Sequence, residues 1–281
     1  MKNSEANGRY RPGSRGDQAT QDHFILMYNH VGSLDKLGAF TPFVVTPSRF
    51  REQLDTIERR GLPITTVRDL VQAEKGDRSE HRIALTFDDC PEHLLAFAVP
   101  ELERRGWKAS FFAVAGKVGG TNDWDKTPGM PRVPLMQWGH LRELAALGHE
   151  IGSHGFSHQS LRQCGTAQAQ LEMSKSKDAL EQQLGNPVET LAYPFGDTPD
   201  GYPDLCRGTG YRAACSIFSE SRSVLADRFM IRRILVSERD GERRMRIKLS
   251  RPYLHARALL VDRRVLRQNG NLPSVDTLTN V

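Results

Sequence analysis

The sequence predicts an α/β barrel, parallel strands alternating with helices in one large domain. Three observations carry this. Short, apolar, β-prone runs recur along the chain and are separated by turn residues. Between them lie stretches whose apolar residues fall at helical spacing, the pattern of parallel βαβ units. With about seven such strands, closure into a barrel is the natural way to bury them.

Residues 1–21, within "MKNSEANGRYRPGSRGDQATQD", offer almost nothing to bury and read as a disordered tail. Order is expected from "HFILMYNHV", residues 23–31, a buried strand. In "TPSRFREQLDTIERRGL", Thr46 or Ser48 can cap a helix that carries Phe50, Leu54 and Ile57 on one face and ends at Gly61. "PITTVRDLVQAEKG" adds a short strand and a small helix. "HRIALTF" is the second strong strand, and "LLAFAVPELERRG" is a helix closed by Gly106. The alternation goes on with "KASFFAVAG" as strand, "MQWGHLRELAALG" as helix, "HEIGSH" as strand and "TAQAQLEMSKSKDALEQQLG" as a long helix. "ETLAYPFG", "YRAACSI" and "RFMIRRILV" read as the remaining strands, with a short helix and turn at "DLCRGTG". The expected division is a tail over 1–21, a barrel over 22–237 and a basic, partly helical extension over 238–281.

Bulk properties exclude some functions. In 281 residues, 39 Lys and Arg stand against 34 Asp and Glu, a net charge of +5. So mild an excess suits an anionic substrate or a membrane surface, and no nucleic-acid-binding module accompanies it. Ten Arg or Lys lie between Arg239 and Arg267, which reads either as a solvated helix or as a patch for peripheral membrane contact or an anionic polymer. Cys90, Cys164, Cys206 and Cys215 form no CxxC pair, which argues against a thiolate metal site and leaves a Cys206–Cys215 disulfide open. The N-terminal residues lack the apolar core of a secretory signal and no run is long enough to span a membrane, so the expected location is the cytoplasm.

The strand "IALTFDD" ends in two adjacent carboxylates, Asp88 and Asp89. Side-by-side anions persist where a cation or a proton separates them. In parallel α/β folds, the carboxyl ends of strands line the functional face. His154 and His158, in "SHGFSH", follow a later strand, and their spacing lets two imidazoles converge if that segment makes a helical turn. Two imidazoles and one carboxylate make a three-ligand site with open positions, suited to a divalent metal such as zinc. The second aspartate is then placed to act as a general base on a water. Taken singly, the Asp pair reads as a helix cap and the His pair as ordinary surface or core; in this order on successive βα units they favour a site.

These residues resemble the polysaccharide deacetylases of the NodB-homology type, carbohydrate esterase family four. "LTFDD", "SHGFSH" and "LAYPFGD" are similar to its first three motifs, "ELERRGWKASFF" and "MQWGHLRELAALGHEIGSH" to its linking segments, and "ILMYNHV" with "TPSRFREQLDTIERRG" to a branch with an extra N-terminal strand and helix. The similarity covers residues 23–237. It implies a distorted (β/α)7 barrel and metal-dependent hydrolysis of an N-acetyl or O-acetyl group on a sugar or polysaccharide, in envelope or exopolysaccharide assembly. One divalent ion is implied, zinc first, with cobalt or nickel as alternatives. Carried over, Asp88 is the base, and Asp89, His154 and His158 hold the metal. The Phe195 N–H faces the oxyanion, and Tyr193, Pro194 and Phe195 wall the groove.

Four departures stand out. Cys90 replaces the usual Gly. Ala192 replaces an Arg, and Arg233 is expected to pair with Asp88 instead. The usual Leu-His that supplies the acid has no clear counterpart, since His255 lies in a C-terminal helix. His30, one residue beyond the branch's position at Asn29, reaches the site only if its strand has ended or bulged, and is the candidate acid. His93 reads as a substrate contact or as a loop residue in water; His23, His81, His140 and His149 read as structural or exposed. Trp124 and Trp138 offer stacking faces. Two other functions fit the motifs: deacylation of a lipid-linked sugar, nucleotide sugar or small amide, and metal-bearing but non-catalytic sugar binding.

Overall fold

The computed structural model describes residues 23–37, 43–73, 81–126, 131–219 and 223–259. The expected N-terminal tail and the end of the basic segment, 260–281, lie outside the described residues. The strands are β1 (Phe24–Tyr28), β2 (His30–Val31), β3 (Val44–Val45), β4 (Ile64–Thr65), β5 (Ile83–Asp89), β6 (Ser110–Ala113), β7 (Glu150–Ser153), β8 (Thr190–Ala192), β9 (Ala213–Ser216), β10 (Ile231–Arg232) and β11 (Ile234–Leu235).

The main sheet runs β10-β9-β8-β7-β6-β5-β1-β11, parallel throughout, and β4 lies beside β5 below the start of β6. Its two edges are halves of one stretch of chain. Ile231 pairs with Cys215 of β9, whereas Ile234 pairs with Leu26 of β1. Between them the Arg233 N–H donates to Ser216 O at 3.1 Å, and the Val236 N–H donates to Met27 O at 2.9 Å. One segment therefore clasps both edges and all but closes the barrel. With β10 and β11 taken as one member, the eight strands of the path make seven positions round the ring, the expected distorted (β/α)7 arrangement.

The expected strand over 23–31 is divided at Asn29. β1 stays in the barrel, while β2 turns away to pair with β3, His30 opposite Val44. The helix Pro47–Glu58 starts as expected: Thr46 Oγ1 accepts from the Arg49 N–H at 3.3 Å, Pro47 occupies the first turn, and Phe50, Leu54 and Ile57 are fully buried. The expected helix after the second strand is two short ones, Leu94–Phe97 and Val99–Arg104. Pro100 lacks the N–H a continuous helix would use. The helix Thr166–Leu184 ends at Gly185, which takes the left-handed conformation (φ 68°) and donates to Glu181 O.

Alternation along β5 sends its residues to two layers. Phe87 stacks on Phe111 and Tyr28 at 5.0 and 5.4 Å, and Phe50 meets Tyr28 edge-on, packing the sheet against the helix Pro47–Glu58. Thr86 and Asp88 point the other way, to Arg233 in the barrel interior.

The described part of the basic C-terminal segment forms helices Glu242–Lys248 and Arg251–Arg257, and these are not a solvated appendage. Met245, Leu249 and Leu254 join the core. Lys248 is buried and its ammonium donates to Leu235 O at 2.8 Å and Asp240 Oδ2 at 2.7 Å; buried Arg257 donates to Ile217 O at 2.9 Å. Arg243, Arg244, Arg246 and Ile247 remain on the outer face. All four cysteines are free thiols, so the Cys206–Cys215 disulfide does not form. Among the described residues, no helix is long and apolar enough to cross a membrane.

Candidate active site

The two aspartates part company because the backbone turns sharply between them. Asp88 is still strand and faces inward. Asp89 and Cys90 have φ of 65° and 55°, and the Cys90 N–H closes a tight turn on Asp88 O at 2.8 Å. A left-handed conformation is unfavourable by about 1–2 kcal/mol for a residue with a Cβ. The protein accepts it at two consecutive positions, which swings the Asp89 carboxylate out of line with its neighbour.

His154 and His158 do converge, but not through a helical turn. Residues 154–160 form an irregular loop after β7, with Gly155 at φ 76° and His158 at φ 61°. Positive φ at two points folds the loop back on itself. A Cβ at Gly155 would stand 3.4 Å from Pro194 Cγ, so the third motif packs directly under it. Glu172, on the helix Thr166–Leu184, anchors the turn. Its buried carboxylate accepts from the Phe156 N–H (3.1 Å), the Ser157 N–H (2.8 Å) and the Ser157 hydroxyl (2.9 Å). The Ser160 hydroxyl donates to Asp197, which ties the same loop to "YPFGD".

Asp89, His154 and His158 place one ligand atom each within 4.8 Å of one another. The Asp89 Oδ1 lies 3.2 Å from His158 Nε2 and 3.5 Å from His154 Nε2. His154 Nδ1 lies 2.8 Å from Ala192 O, a pure acceptor, which puts the ring hydrogen on Nδ1 and leaves a lone pair at Nε2. That lone pair faces Asp89 Oδ1, a buried carboxylate oxygen. Lone pairs opposed in this way need a cation between them, and two nitrogens with one oxygen suit a divalent metal ion. Burial pushes the Asp89 carboxyl up, but the charge of His158 and its hydrogen bond, then His154 and His30, outweigh it and hold the group well below the usual carboxylate range. Burial lowers His154, against the pull of Asp88.

Asp88 has a different partner. Arg233 grips both carboxylate oxygens, Nη1 on Oδ1 at 2.6 Å and Nη2 on Oδ2 at 2.8 Å, and also donates to Thr86 Oγ1 at 3.3 Å. Both side chains are buried, and the guanidinium sits 5.6 Å from the Phe112 ring centroid. Burial alone would lower the Arg233 pKa, but the charge of Asp88 and its hydrogen bonds raise it. Asp88 Oδ2 is 3.9 Å from His154 Nε2. Asp88 therefore stands beside the cluster without joining it.

The third motif splits into wall and core. Phe195, at φ 61° and 46% exposed, sets its ring edge against His158, centroids 4.7 Å apart. Pro194 is buried against Gly155. Tyr193 does not wall the groove. It is fully buried just past the end of β8, packed in the core, and its hydroxyl donates to Phe229 O at 2.9 Å.

His30, beyond the break at Asn29, is close enough to Asp89 for their charges to interact. Burial takes it down to about 4, with Asp89 pulling the other way. His93 is not a loop residue in water. It stacks on His30 with ring centroids 5.2 Å apart, and burial followed by the charge of His30 lowers it to about 3. Trp124 stacks on His158 at 4.5 Å, whereas Trp138 packs against the core at the start of its helix. His255 is exposed on the helix Arg251–Arg257. His23, His140 and His149 accept backbone hydrogen bonds from Arg82, Gln137 and Ala109 and are structural. A cleft of about 610 Å³ opens beside His158, lined by Trp124, Lys117, Lys126, Ser157, Gln159 and Gln163 among others.

The polysaccharide deacetylase family profile matches residues 75–214, a span that contains the whole Asp-Asp and His-His constellation. The chain belongs to the polysaccharide deacetylase family. Among its relatives, YxkH of Bacillus subtilis is 23% identical over 215 residues, 76% of this chain and 71% of that one. The peptidoglycan-N-acetylglucosamine deacetylase PgdA of Listeria monocytogenes is 31% identical over 120 residues, 42% of this deacetylase-family chain but only 22% of PgdA. The fold matches that of the Streptococcus pyogenes deacetylase PplD, solved in complex with acetate, with a TM-score of 0.68 at 21% identity over 83% of this chain and 100% of that one.

Proposed function

We propose that this polysaccharide deacetylase family member is a metal-dependent N-deacetylase acting on an N-acetylated sugar of the cell envelope or an exopolysaccharide. The observation that carries the reading is the division of labour between neighbours: Asp89 completes a two-histidine cluster while Asp88, clamped by Arg233, stands free of it.

Asp89, His154 and His158 would hold one divalent ion, zinc before cobalt or nickel for this donor set. Such an ion supplies a Lewis acid for the acetyl carbonyl and makes a nearby water more acidic. Asp88 takes the proton of the attacking water. Its oxygens are already engaged by Arg233, but each carboxylate oxygen keeps a second lone pair, so the clamp orients the base without blocking it. The Phe195 peptide N–H, turned by its positive φ, is assigned to the tetrahedral oxyanion. His30 donates a proton to the departing amine, since a free amide anion is too basic to leave.

The polar cleft beside His158 fits sugar hydroxyls, and Trp124 lines it. The name of PgdA, a peptidoglycan-N-acetylglucosamine deacetylase, supports an N-acetylated amino sugar. Arg243, Arg244 and Arg246 make no ion pair among the described residues, and half-exposed Ile247 lies between them and Lys248. We assign this face to peripheral contact with an anionic membrane surface.

The test is acetate release from N-acetylglucosamine oligomers by protein stripped of metal and reloaded with zinc or cobalt. Release that disappears with the metal and returns with it is expected. Sugar binding without acetate release by the loaded protein would replace the reading with that of a binding barrel.

A further inference from the structure

We propose that His93 is a positioning residue for His30: it accepts the His30 Nδ1–H, which leaves His30 Nε2 as the nitrogen that protonates the leaving amine. The inference rests on the reading of His30 as the acid.

Two parts of the chain 63 residues apart bring these rings together, with His30 Nδ1 and His93 Nε2 at 3.4 Å and ring planes 28° apart. Both are held by their backbones. The His30 N–H donates to Phe43 O at 3.1 Å in the β2–β3 pair. His93 sits at the start of the helix Leu94–Phe97, just after the turn at Asp89 and Cys90. The corner is close-packed: a Cβ on Gly32 would come within 2.8 Å of Leu37 Cδ1 and 3.6 Å of His93 Cδ2.

The chemistry follows from one shared hydrogen. A neutral imidazole has one N–H, and a hydrogen bond at one ring nitrogen decides which tautomer is present. If His93 accepts at Nε2, its own hydrogen is on Nδ1 and His30 carries a hydrogen on Nδ1. His30 then gains its second proton at Nε2. An acceptor at Nδ1 stabilises that imidazolium, whereas a charged His93 would oppose it, and burial keeps His93 neutral. As the C–N bond breaks, its electron pair goes to nitrogen and the Nε2 proton follows. His30 returns to the neutral Nδ1–H tautomer, still bound to His93, and solvent supplies the next proton.

Two substrates separate this from a structural role. An N-acetylglucosamine oligomer needs its leaving amine protonated; 4-nitrophenyl acetate does not. In the zinc-loaded protein, His93→Leu is expected to lower kcat on the oligomer about 10–100-fold, with KM changed by less than about twofold and aryl-acetate turnover unchanged. His93→Gln should recover part of the loss, since its carbonyl can accept the same bond. Ring-nitrogen NMR should show His30 as the Nδ1–H tautomer in the parent protein and a mixture in His93→Leu. An unchanged amide-to-ester ratio in His93→Leu, or His30 found as the Nε2–H tautomer, overturns the proposal. If the parent protein cleaves the aryl ester but no amide, the acid role of His30 falls, and the tautomer still decides whether His93 holds it.

Discussion

Arg233→Met removes the countercharge of a carboxylate that is only 4% exposed. Opposite charges 4 Å apart attract by about 4 kcal/mol at an effective dielectric near 20, and the Asp88–Arg233 contacts are shorter than that. Breaking a buried pair by deleting one partner typically costs ~3–5 kcal/mol, because the other charge is left buried and unpaired. Urea unfolding of metal-free protein should register a loss in that range. Activity should fall at least about 100-fold, since an Asp88 that takes up a compensating proton no longer serves as base. Arg233→Lys keeps the charge and loses the two-pronged grip, so it should lie between. In Asp88→Asn/Arg233→Met neither charge remains, and the stability loss should be at least ~1 kcal/mol smaller than the sum of the single variants. If Arg233→Met unfolds within about 1 kcal/mol of the parent and turns over normally, the clamp is not what holds the base, and the reasoning fails.

Glu172→Ala leaves the Phe156 and Ser157 N–H groups without their acceptor; zinc affinity, read by competition with a chelator, should drop about 10–100-fold while the far-ultraviolet circular dichroism is kept. Glu150 is buried, and burial raises its pKa although Ser110, Thr190 and Arg68 N–H donate to it. Folding therefore takes up a proton at this site, so its contribution to stability is full in acid and is lost as pH rises through the raised value; Glu150→Gln should flatten that part of the urea-stability profile. Replacing Arg243, Arg244 and Arg246 with Ser should lower co-sedimentation with phosphatidylglycerol vesicles, about 1 kcal/mol of binding per charge, with acetate release from a short oligomer unchanged.

Much of the architecture was legible because β5, β6 and β9 lie in short, mostly apolar runs bounded by turn residues and separated by stretches of helical spacing. The clasp at 231–235 was not, because pairing with both β9 and β1 is a long-range property of an otherwise ordinary strand. The spacing of His154 and His158 pointed to convergence and to the wrong local structure: four-residue separation serves a helix and also a loop with two positive-φ residues. Tyr193 illustrates a missed signal. It directly follows the apolar strand β8, and an aromatic ring that extends such a run serves a core as readily as a groove wall; here its side chain is fully buried. The family resemblance points to Arg233 as the partner of Asp88, and that pairing is seen. His93 had no local signature, because its partner is 63 residues away. The basic C-terminal segment looked solvated from its charge, yet Lys248 and Arg257 are buried with carbonyl and carboxylate partners.

The central claim is that Asp88 and Asp89, adjacent in sequence, do different work. Cobalt titration followed by acetate release on Asp88→Asn and Asp89→Asn, side by side, tests it most directly. Asp88→Asn should bind one cobalt about as tightly as the parent and lose about 10²–10⁴ in turnover; Asp89→Asn should lose the cobalt itself. An Asp88→Asn protein that cannot hold cobalt, beside an Asp89→Asn protein that can, would contradict the account.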